Sequence, residues 1–269
     1  MKKMALSLTV LYYGFMAYSG NAIAAVDPEA SLYQPILKLR TDNICWPTHP
    51  ANGANSGRCL SQSEFNANPP AVYVEQYSEV YQGIEHKLFT YWFYYGHQAS
   101  CISVFDGSHP DDWERITVHV SQNQLRHVVY HQHNGRYTLR AANAPLQNNR
   151  QPIVYVGKYA HGNYHDQRAR CSFDGGCQIS GDYCYYWKDP RGPGVDWQGA
   201  LRPLSDISAN AVFPGSTNPR QREATHLLPV CREDGGREII FGIGIENTCL
   251  RNPAPINNPG VAIYQLIYQ

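Results

Sequence analysis

The residues best suited to chemistry lie in one short segment, 105–114. Its ten positions hold four carboxylates and one imidazole, those of Asp106, Asp111, Asp112, Glu114 and His109. An alternating segment follows directly, and successive side chains of an extended chain point to opposite faces. Asp112 and Glu114 therefore share a face, which continues into the apolar side chains of Ile116, Val118 and Val120. Two acids are expected at the edge of a core.

Like charges this close cannot all stay ionised without a cation or a shared proton. We predict a divalent cation bound by His109, Asp112 and Glu114, with His97 as a further ligand. Ligation dominated by carboxylates favours Mg²⁺ or Ca²⁺ and allows Mn²⁺, whereas a larger share of histidine would favour Zn²⁺. A hydrogen-bonded network without metal is the alternative.

Further polar residues follow other predicted strands, at the ends where the loops of a β-sandwich gather. His97 follows an aromatic run, and a second histidine, His133, precedes an Asn-Gly turn. The residues predicted to bind a ligand are Asp111, His133, His161 and Tyr164. In contrast, His119, His127 and His226 are interpreted as ordinary hydrogen-bonded side chains.

The first 25 residues are typical of a secretory signal peptide. Lys2 and Lys3 precede an apolar stretch, Met4–Tyr18, and the small residues around Ala24 form a cleavage site. A membrane span needs roughly 20 apolar residues, a length that this stretch and all later segments fall short of. The chain is therefore predicted to be secreted or periplasmic, with no transmembrane span.

All eight cysteines follow the signal: Cys45, Cys59, Cys101, Cys171, Cys177, Cys184, Cys231 and Cys249. An even number in an exported chain predicts disulfides. We expect Cys45–Cys59 and Cys231–Cys249 to close short loops and Cys101 to reach the cluster at 171–184, although eight cysteines allow 105 pairings. Zinc ligation by that cluster is the weaker alternative, because its spacings match no common zinc pattern.

The charge balance excludes one class of partner. Without the signal, 20 basic residues face 22 acidic ones, and no basic run occurs. Nucleic acid binding needs such a basic surface and is not expected. The sequence also lacks Gly-x-Ser-x-Gly and His-Glu-x-x-His, so nothing supports nucleophilic catalysis. We expect a monomer.

Runs rich in β-branched and aromatic residues recur between Gly, Asn and Pro. The predicted strands are Ala71–Tyr77, Lys87–Tyr95, Glu114–Val120, Leu125–His131, Pro152–Gly157, Glu238–Ile245 and Val261–Tyr268. Ser61–Asn66 and Trp197–Ile207 are candidates for short helices. The pattern predicts a mainly β protein, a single-domain β-sandwich over residues 26–269 with long disulfide-stapled loops and a Cys-rich insertion around 166–198.

The order of several motifs resembles a known superfamily. Pro35 and a Cys-Trp-Pro segment at 45–47 are followed by Tyr-Trp-Phe-Tyr-Tyr at 91–95 and His-x-x-Asp-Trp-Glu at 109–114. His-x-Gly-x-Tyr at 133–137 and Pro-Ile-Val-Tyr-Val…His-Gly-Asn-Tyr at 152–164 complete the set. Over 35–164 the chain is similar to the superfamily joining necrosis- and ethylene-inducing peptide-like proteins with vacuolar protein sorting-associated protein 62 type domains.

The resemblance implies a β-sandwich whose loops hold a divalent cation beneath a surface cleft. Secreted members are cytolysins that recognise sphingolipid sugar heads on target membranes. His109, Asp112 and Glu114 match the family motif, Asp111 stands where the family has a second histidine, and the family's aspartate after the aromatic strand falls near His97.

The expected function is a secreted, metal-dependent glycan- or glycolipid-binding protein of the cytolysin or necrosis-inducing type, with a sugar head group as partner and a role as a virulence toxin. Two alternatives stay open. One is a metal-dependent hydrolase in which Asp111, His97 or His161 acts as base. The other is a non-catalytic structural envelope protein whose ion only joins loops. Whether the protein is an enzyme is therefore undecided by the sequence.

Overall fold

The larger of two main β-sheets carries the acidic segment. The computed structural model describes residues 26–99, 108–132, 135–166, 194–216, 218–221, 236–240 and 243–247. Six strands form this sheet in the order β11-β2-β3-β4-β5-β6. They are β2 Val72–Tyr81, β3 Ile84–Gln98, β4 His109–Ser121, β5 Gln124–Gln132, β6 Gly135–Arg140 and β11 Leu201–Pro203. Strands β2 to β6 pair antiparallel with their sequence neighbours, and β11 pairs parallel with β2.

The second sheet contains five strands in the order β10-β1-β8-β7, with β9 paired to β8. They are β1 Ile36–Leu39, β7 Leu146–Gln147, β8 Gln151–Val156, β9 Asn163–Tyr164 and β10 Val195–Trp197. Strand β1 pairs parallel with β8 and antiparallel with β10. Two further strands, β12 Gly236–Ile240 and β13 Ile243–Asn247, pair with each other.

One hydrophobic core lies between the two main sheets. The smaller sheet contributes Leu37, Leu39, Val154, Val156 and Trp197. The larger sheet contributes alternate residues of its strands, namely Val72, Val74, Phe89, Tyr91, Phe93, Tyr95, Ile116, Val118, Val120, Val128 and Tyr130. Burial of one face of each sheet is the arrangement of a β-sandwich, so the predicted fold class is confirmed.

The other face of the larger sheet carries a second apolar cluster. Trp92, Tyr94 and Trp113 pack there against residues of the segment after β11, including Ile207 and Phe213. The apolar side chains of this segment cover the aromatic residues of the sheet. The helix expected over Trp197–Ile207 is wrong, because the region forms the end of β10, strand β11 and a single 3₁₀ turn, Leu204–Asp206.

Most predicted strands are present. Within the described residues, the runs beginning at 71, 87, 114, 125 and 152 all form strands, several longer than expected. Glu238–Ile245 is not one strand but spans parts of β12 and β13. Strands β1, β6, β7, β9, β10 and β11 were not predicted, because they are short or interrupted by polar residues. The run 261–268 lies outside the described residues.

A short helix and a disulfide hold the first long loop. Helix α1, Gln62–Ala67, begins with a capping box in which Ser61 and Glu64 bond each other's backbone N–H. The remaining helical turns are 3₁₀ segments at Pro28–Tyr33, Ala51–Gly53 and Pro219–Gln221. The predicted disulfide Cys45–Cys59 is confirmed. The other six cysteines, and residues 167–193 of the predicted insertion, lie outside the described residues.

Three histidines form a row across neighbouring strands. His86 Nδ1 on β3 lies 2.9 Å from His119 Nε2 on β4, and His119 Nδ1 lies 3.1 Å from His127 Nδ1 on β5. The interpretation of His119 and His127 as hydrogen-bonded side chains is confirmed. Burial lowers the pKa of His119 well below its usual value, and His127, His86 and Arg126 lower it further. Burial also lowers the pKa of His86, assisted by Arg126 and opposed by Glu79.

The histidine row predicts a stability that declines in acid. Because the folded-state pKa of His119 lies below the unfolded value of 6.5, the unfolded chain binds the proton first as pH falls, and folding weakens below about pH 6.5. One such histidine contributes a slope of at most about 1.4 kcal/mol per pH unit. We expect His119→Gln to reduce this slope between pH 6.5 and 5 and to leave the pH 7.5–8.5 range without a change in slope. Urea denaturation across pH measures both; an unchanged acid slope contradicts the assignment.

Candidate functional site

The two acids of the His-x-x-Asp-Trp-Glu motif, Asp112 and Glu114, lie on the core face of β4. Asp112 is paired in register with Tyr95 of β3, and Glu114 with Phe93. Their neighbours on this face belong to the core between the sheets, so the carboxylates enter the apolar interior at the end of the sandwich. Asp112 is 2% and Glu114 1% exposed. The expectation that they share a buried face is confirmed.

The turn between β8 and β9 brings His161 to Asp112. The turn is closed by a hydrogen bond from the Gly157 N–H to the Gly162 carbonyl. His161 has a φ of 56°, in the left-handed region that is uncommon for residues with a side chain. Its Nδ1 lies 2.7 Å from Asp112 Oδ2, and its ring stacks on that of Tyr95 with centroids 3.9 Å apart and planes 1° apart. Both rings are completely buried.

Asn163 joins Glu114 to the backbone of two strands. Its side-chain amide nitrogen lies 3.3 Å from Glu114 Oε2 and 3.2 Å from the carbonyl oxygens of both Arg115 and His131. Asn163 itself belongs to β9 of the smaller sheet. The side chain therefore links that sheet to β4 and β5 of the larger one, at the point where the acids enter the core.

The two carboxylates act electrostatically on the same tyrosine. Burial raises the pKa of Tyr95 well above its usual value, and the charges of Asp112 and Glu114 raise it further. Burial also raises the pKa of Tyr130, which lies on the core face of β5. Both phenols therefore remain protonated at neutral pH and can donate hydrogen bonds.

Asp111 points away from these acids and holds loops together. Its φ of 57° interrupts the alternation of β4. The carboxylate accepts hydrogen bonds from the Tyr94 hydroxyl at 2.5 Å, the Ser56 hydroxyl at 2.7 Å and the Gly215 N–H at 3.3 Å. Gly215 packs so closely on the Pro110 carbonyl that no side chain would fit. Asp111 thus fastens two loops to the sheet.

The side chains of Asp112, Glu114, Tyr95, His161 and Asn163 form the centre of the candidate site. The other predicted site residues lie elsewhere. His109 is partly exposed, and its Nδ1 lies 3.1 Å and 2.9 Å from the carbonyl oxygens of Pro110 and Asp111. His97 is partly exposed near the end of β3, paired in register with Pro110. Tyr164 is only 2% exposed and pairs with Tyr155 inside the smaller sheet. His133 lies outside the described residues.

The geometry supports a cation site in part. Across the residues that the structure describes, no group of three or more His, Cys, Asp or Glu side chains is arranged as a ligand set. However, Asp112 and Glu114 supply buried oxygens on one face, and the Nε2 of His161 is buried without a hydrogen-bond partner among the described atoms. Hard cations prefer such oxygen ligands. The chemistry of Asp112 and Glu114 therefore fits a hard cation.

Two residues of this centre were not selected from the sequence. Tyr95 was assigned to an aromatic strand, although a β3–β4 pairing in register would have placed it opposite Asp112. Asn163 lies two residues after His161, but a single asparagine between strands carries no signal of a cross-sheet contact. Asn163 is identified only by the packing of β9 against the larger sheet.

Comparisons with known proteins identify structural relatives. No protein-family model and no curated protein matches the sequence. Necrosis and ethylene inducing protein 2 from the causal agent of cocoa's witches' broom disease is 15% identical, with a TM-score of 0.37 over 71% of this chain and 80% of that chain. NLPPya in complex with mannosamine is 15% identical, with a TM-score of 0.37 over 71% and 82%.

A third structure, described as a toxin fold for microbial attack and plant defense, is 13% identical with a TM-score of 0.38, over 71% of this chain and 82% of that chain. The solved structures similar to this chain thus include a necrosis and ethylene inducing protein, from the superfamily that the sequence resembles. With these TM-scores below 0.5, function has to be argued from the residues of this chain.

Asp111 provides a test of its role as a loop anchor. Asp111→Ala removes the acceptor of three hydrogen bonds and leaves the buried Tyr94 hydroxyl without its partner, so we expect a loss of about 3 kcal/mol in the free energy of unfolding. Asp111→Asn retains an acceptor oxygen and tolerates the left-handed backbone, so its loss should be clearly smaller. Urea denaturation of both variants measures the difference. Equal, small effects would show that the three contacts contribute nothing.

Proposed function

We propose that the protein is a secreted, divalent-cation-dependent binder of a sugar or glycolipid head group, of the cytolysin type. The observation that carries the proposal is the pair of buried carboxylates, Asp112 and Glu114, on one face at the end of the sandwich. The signal-like segment 1–25 supports export. The disulfide Cys45–Cys59 is also typical of an oxidising compartment.

The chemistry of the carboxylates supports a hard cation. Transfer of a carboxylate from water to a protein interior is costly unless its charge is paired. A shell of carboxylate oxygens favours Mg²⁺ or Ca²⁺, with Mn²⁺ as a substitute. Such an ion would neutralise Asp112 and Glu114 and supply open coordination positions. His161 would be held beside it through Asp112, and Asn163 beside Glu114.

The position of the centre supports recognition from outside the molecule. Asp112 and Glu114 lie near the beginning of β4, and the partly exposed His109 and His97 lie just beyond them. The rings of Tyr95 and Trp113 are buried, so they offer no stacking platform for sugar rings.

Cation binding and glycan recognition can be tested together. Chelator-treated protein is titrated calorimetrically with Mg²⁺, Ca²⁺ and Mn²⁺, and the loaded and chelated forms are applied to a glycan array and to liposomes carrying glycosylated sphingolipid. Mannosamine is a convenient first soluble probe. We expect Asp112→Asn and Glu114→Gln to weaken cation binding by at least about tenfold and to abolish glycan binding and leakage.

Asp196→Asn serves as the matched control, because Asp196 is a half-exposed acid that pairs with Lys38 on the smaller sheet. It should bind cation and glycan as the wild type does. Absence of cation binding to wild-type protein, or binding unchanged in Asp112→Asn, contradicts the proposal. If the cation raises stability while the array and the liposomes stay negative, the ion only joins loops and the structural envelope protein is the better description.

A metal-dependent hydrolase is the second candidate, and one observation favours it. Asp112 holds His161 through Nδ1 while Nε2 carries no hydrogen bond within the described structure, which is how hydrolases orient an imidazole toward water. Phosphoester and glycoside substrates should then be turned over by the cation-loaded protein and not by Glu114→Ala or His161→Asn. Lack of turnover in the loaded wild type rules this candidate out.

A further inference from the structure

Two buried polar atoms lie on one pair of stacked rings at the centre. Among the described residues, the hydroxyl of Tyr95 and the Nε2 of His161 have no hydrogen-bond partner, and both side chains are 0% exposed. A buried polar atom without a partner costs roughly 1–3 kcal/mol. Nearly all such atoms in folded proteins are bonded to protein or to ordered water. Two such atoms on one pair of stacked rings therefore indicate a bound ligand.

Three separate constraints fix the conformation of His161. Asp112 fixes one nitrogen of the imidazole, the ring of Tyr95 fixes its plane, and the left-handed backbone fixes the position of its Cα. A residue kept in a sparsely populated backbone region is usually over-determined by its surroundings, and such residues cluster at functional sites. Of the two ring nitrogens, Nδ1 contacts Asp112, and Nε2 has no hydrogen-bond partner among the described residues.

The hydroxyl of Tyr95 differs from that of its neighbour on the same face. Tyr91 lies four residues before Tyr95 on the same face of β3 and is equally buried. Its hydroxyl donates a 2.6 Å hydrogen bond to the Ala30 carbonyl. Tyr95 has no such acceptor, although a phenylalanine would fill the same volume without a polar atom. The phenol is therefore better explained by something that it binds than by packing.

We propose that the stacked Tyr95–His161 pair is a binding site for one water-sized polar ligand, contacted by the Tyr95 hydroxyl and the His161 Nε2, and that this ligand is a water on the cation held by Asp112 and Glu114. Only the assignment of the water to a cation depends on the proposed function. A buried water typically makes about three hydrogen bonds. The phenol donates one and the imidazole offers a second.

The test compares the Tm of Tyr95→Phe with that of the matched control Tyr91→Phe, first in chelator and then with Mn²⁺ or Ca²⁺ added. Tyr91→Phe removes a satisfied hydroxyl and should lower Tm by about 2–4 °C. If a ligand occupies the pair, Tyr95→Phe lowers Tm by a similar amount. If the hydroxyl is bare, its removal relieves a cost, and a Tm that is unchanged or raised both in chelator and with cation added overturns the binding site.

His161→Asn probes the second contact. Asparagine tolerates the left-handed backbone and can place an amide N–H toward Asp112, but it has no atom at the position of Nε2. In the calorimetric arm with Mn²⁺ or Ca²⁺, both Tyr95→Phe and His161→Asn should raise the cation Kd by about tenfold or more, while Tyr91→Phe leaves it unchanged.

The two arms separate the possible failures. A lowered Tm in chelator together with an unchanged cation Kd overturns the assignment of the water to a cation and keeps the binding site. If wild-type protein binds no cation, the proposed function fails, and the chelator arm still decides whether the pair binds a ligand.

Discussion

The burial of two like-charged carboxylates is the constraint on which the site depends. Asp112 and Glu114 lie on the core face of β4 because strand alternation continues that face into Ile116 and Val118. Removing a carboxylate from water is costly unless hydrogen bonds or opposite charge replace the lost hydration. His161 meets Asp112 and Asn163 meets Glu114. The short strand β9 and its turn thus supply hydrogen-bonding groups to both acids of the opposite sheet.

Backbone strain occurs on both sides of this contact. Asp111 and His161 both adopt left-handed φ values, which cost energy for residues with a side chain. At Asp111 the strain turns one carboxylate to the outer loops while its neighbour, Asp112, faces the core. At His161 it directs an imidazole into the gap between the sheets. Two adjacent aspartates, Asp111 and Asp112, therefore have different roles, although the sequence shows only an acidic run.

The alternation of side chains along a strand explains how much of the candidate site could be predicted from the sequence. Period-two patterning identified β4 and the shared face of Asp112 and Glu114, because a one-residue shift would move both acids out of the core. The aromatic run identified β3. The role of Asp111 could not be predicted, because alternation says nothing about a residue that leaves the regular backbone. The same holds for His161 and Asn163, whose partners lie 49 positions away in sequence. Such contacts depend on how two sheets pack, and no local pattern encodes them.

The connectivity of the two sheets has a consequence for the order of folding. Strands β2 to β6 are successive hairpins, so their contacts close short loops. In contrast, Ile36 pairs with Ile153 and Leu37 with Trp197, and contacts so distant in sequence carry a larger loop-closure entropy and form slowly. The meander of hairpins is therefore expected to assemble early and to serve as a template for the smaller sheet. Strand β9 pairs with β8 of that smaller sheet. The contacts that His161 and Asn163 make with Asp112 and Glu114 are therefore expected to form only when the smaller sheet packs onto the larger one.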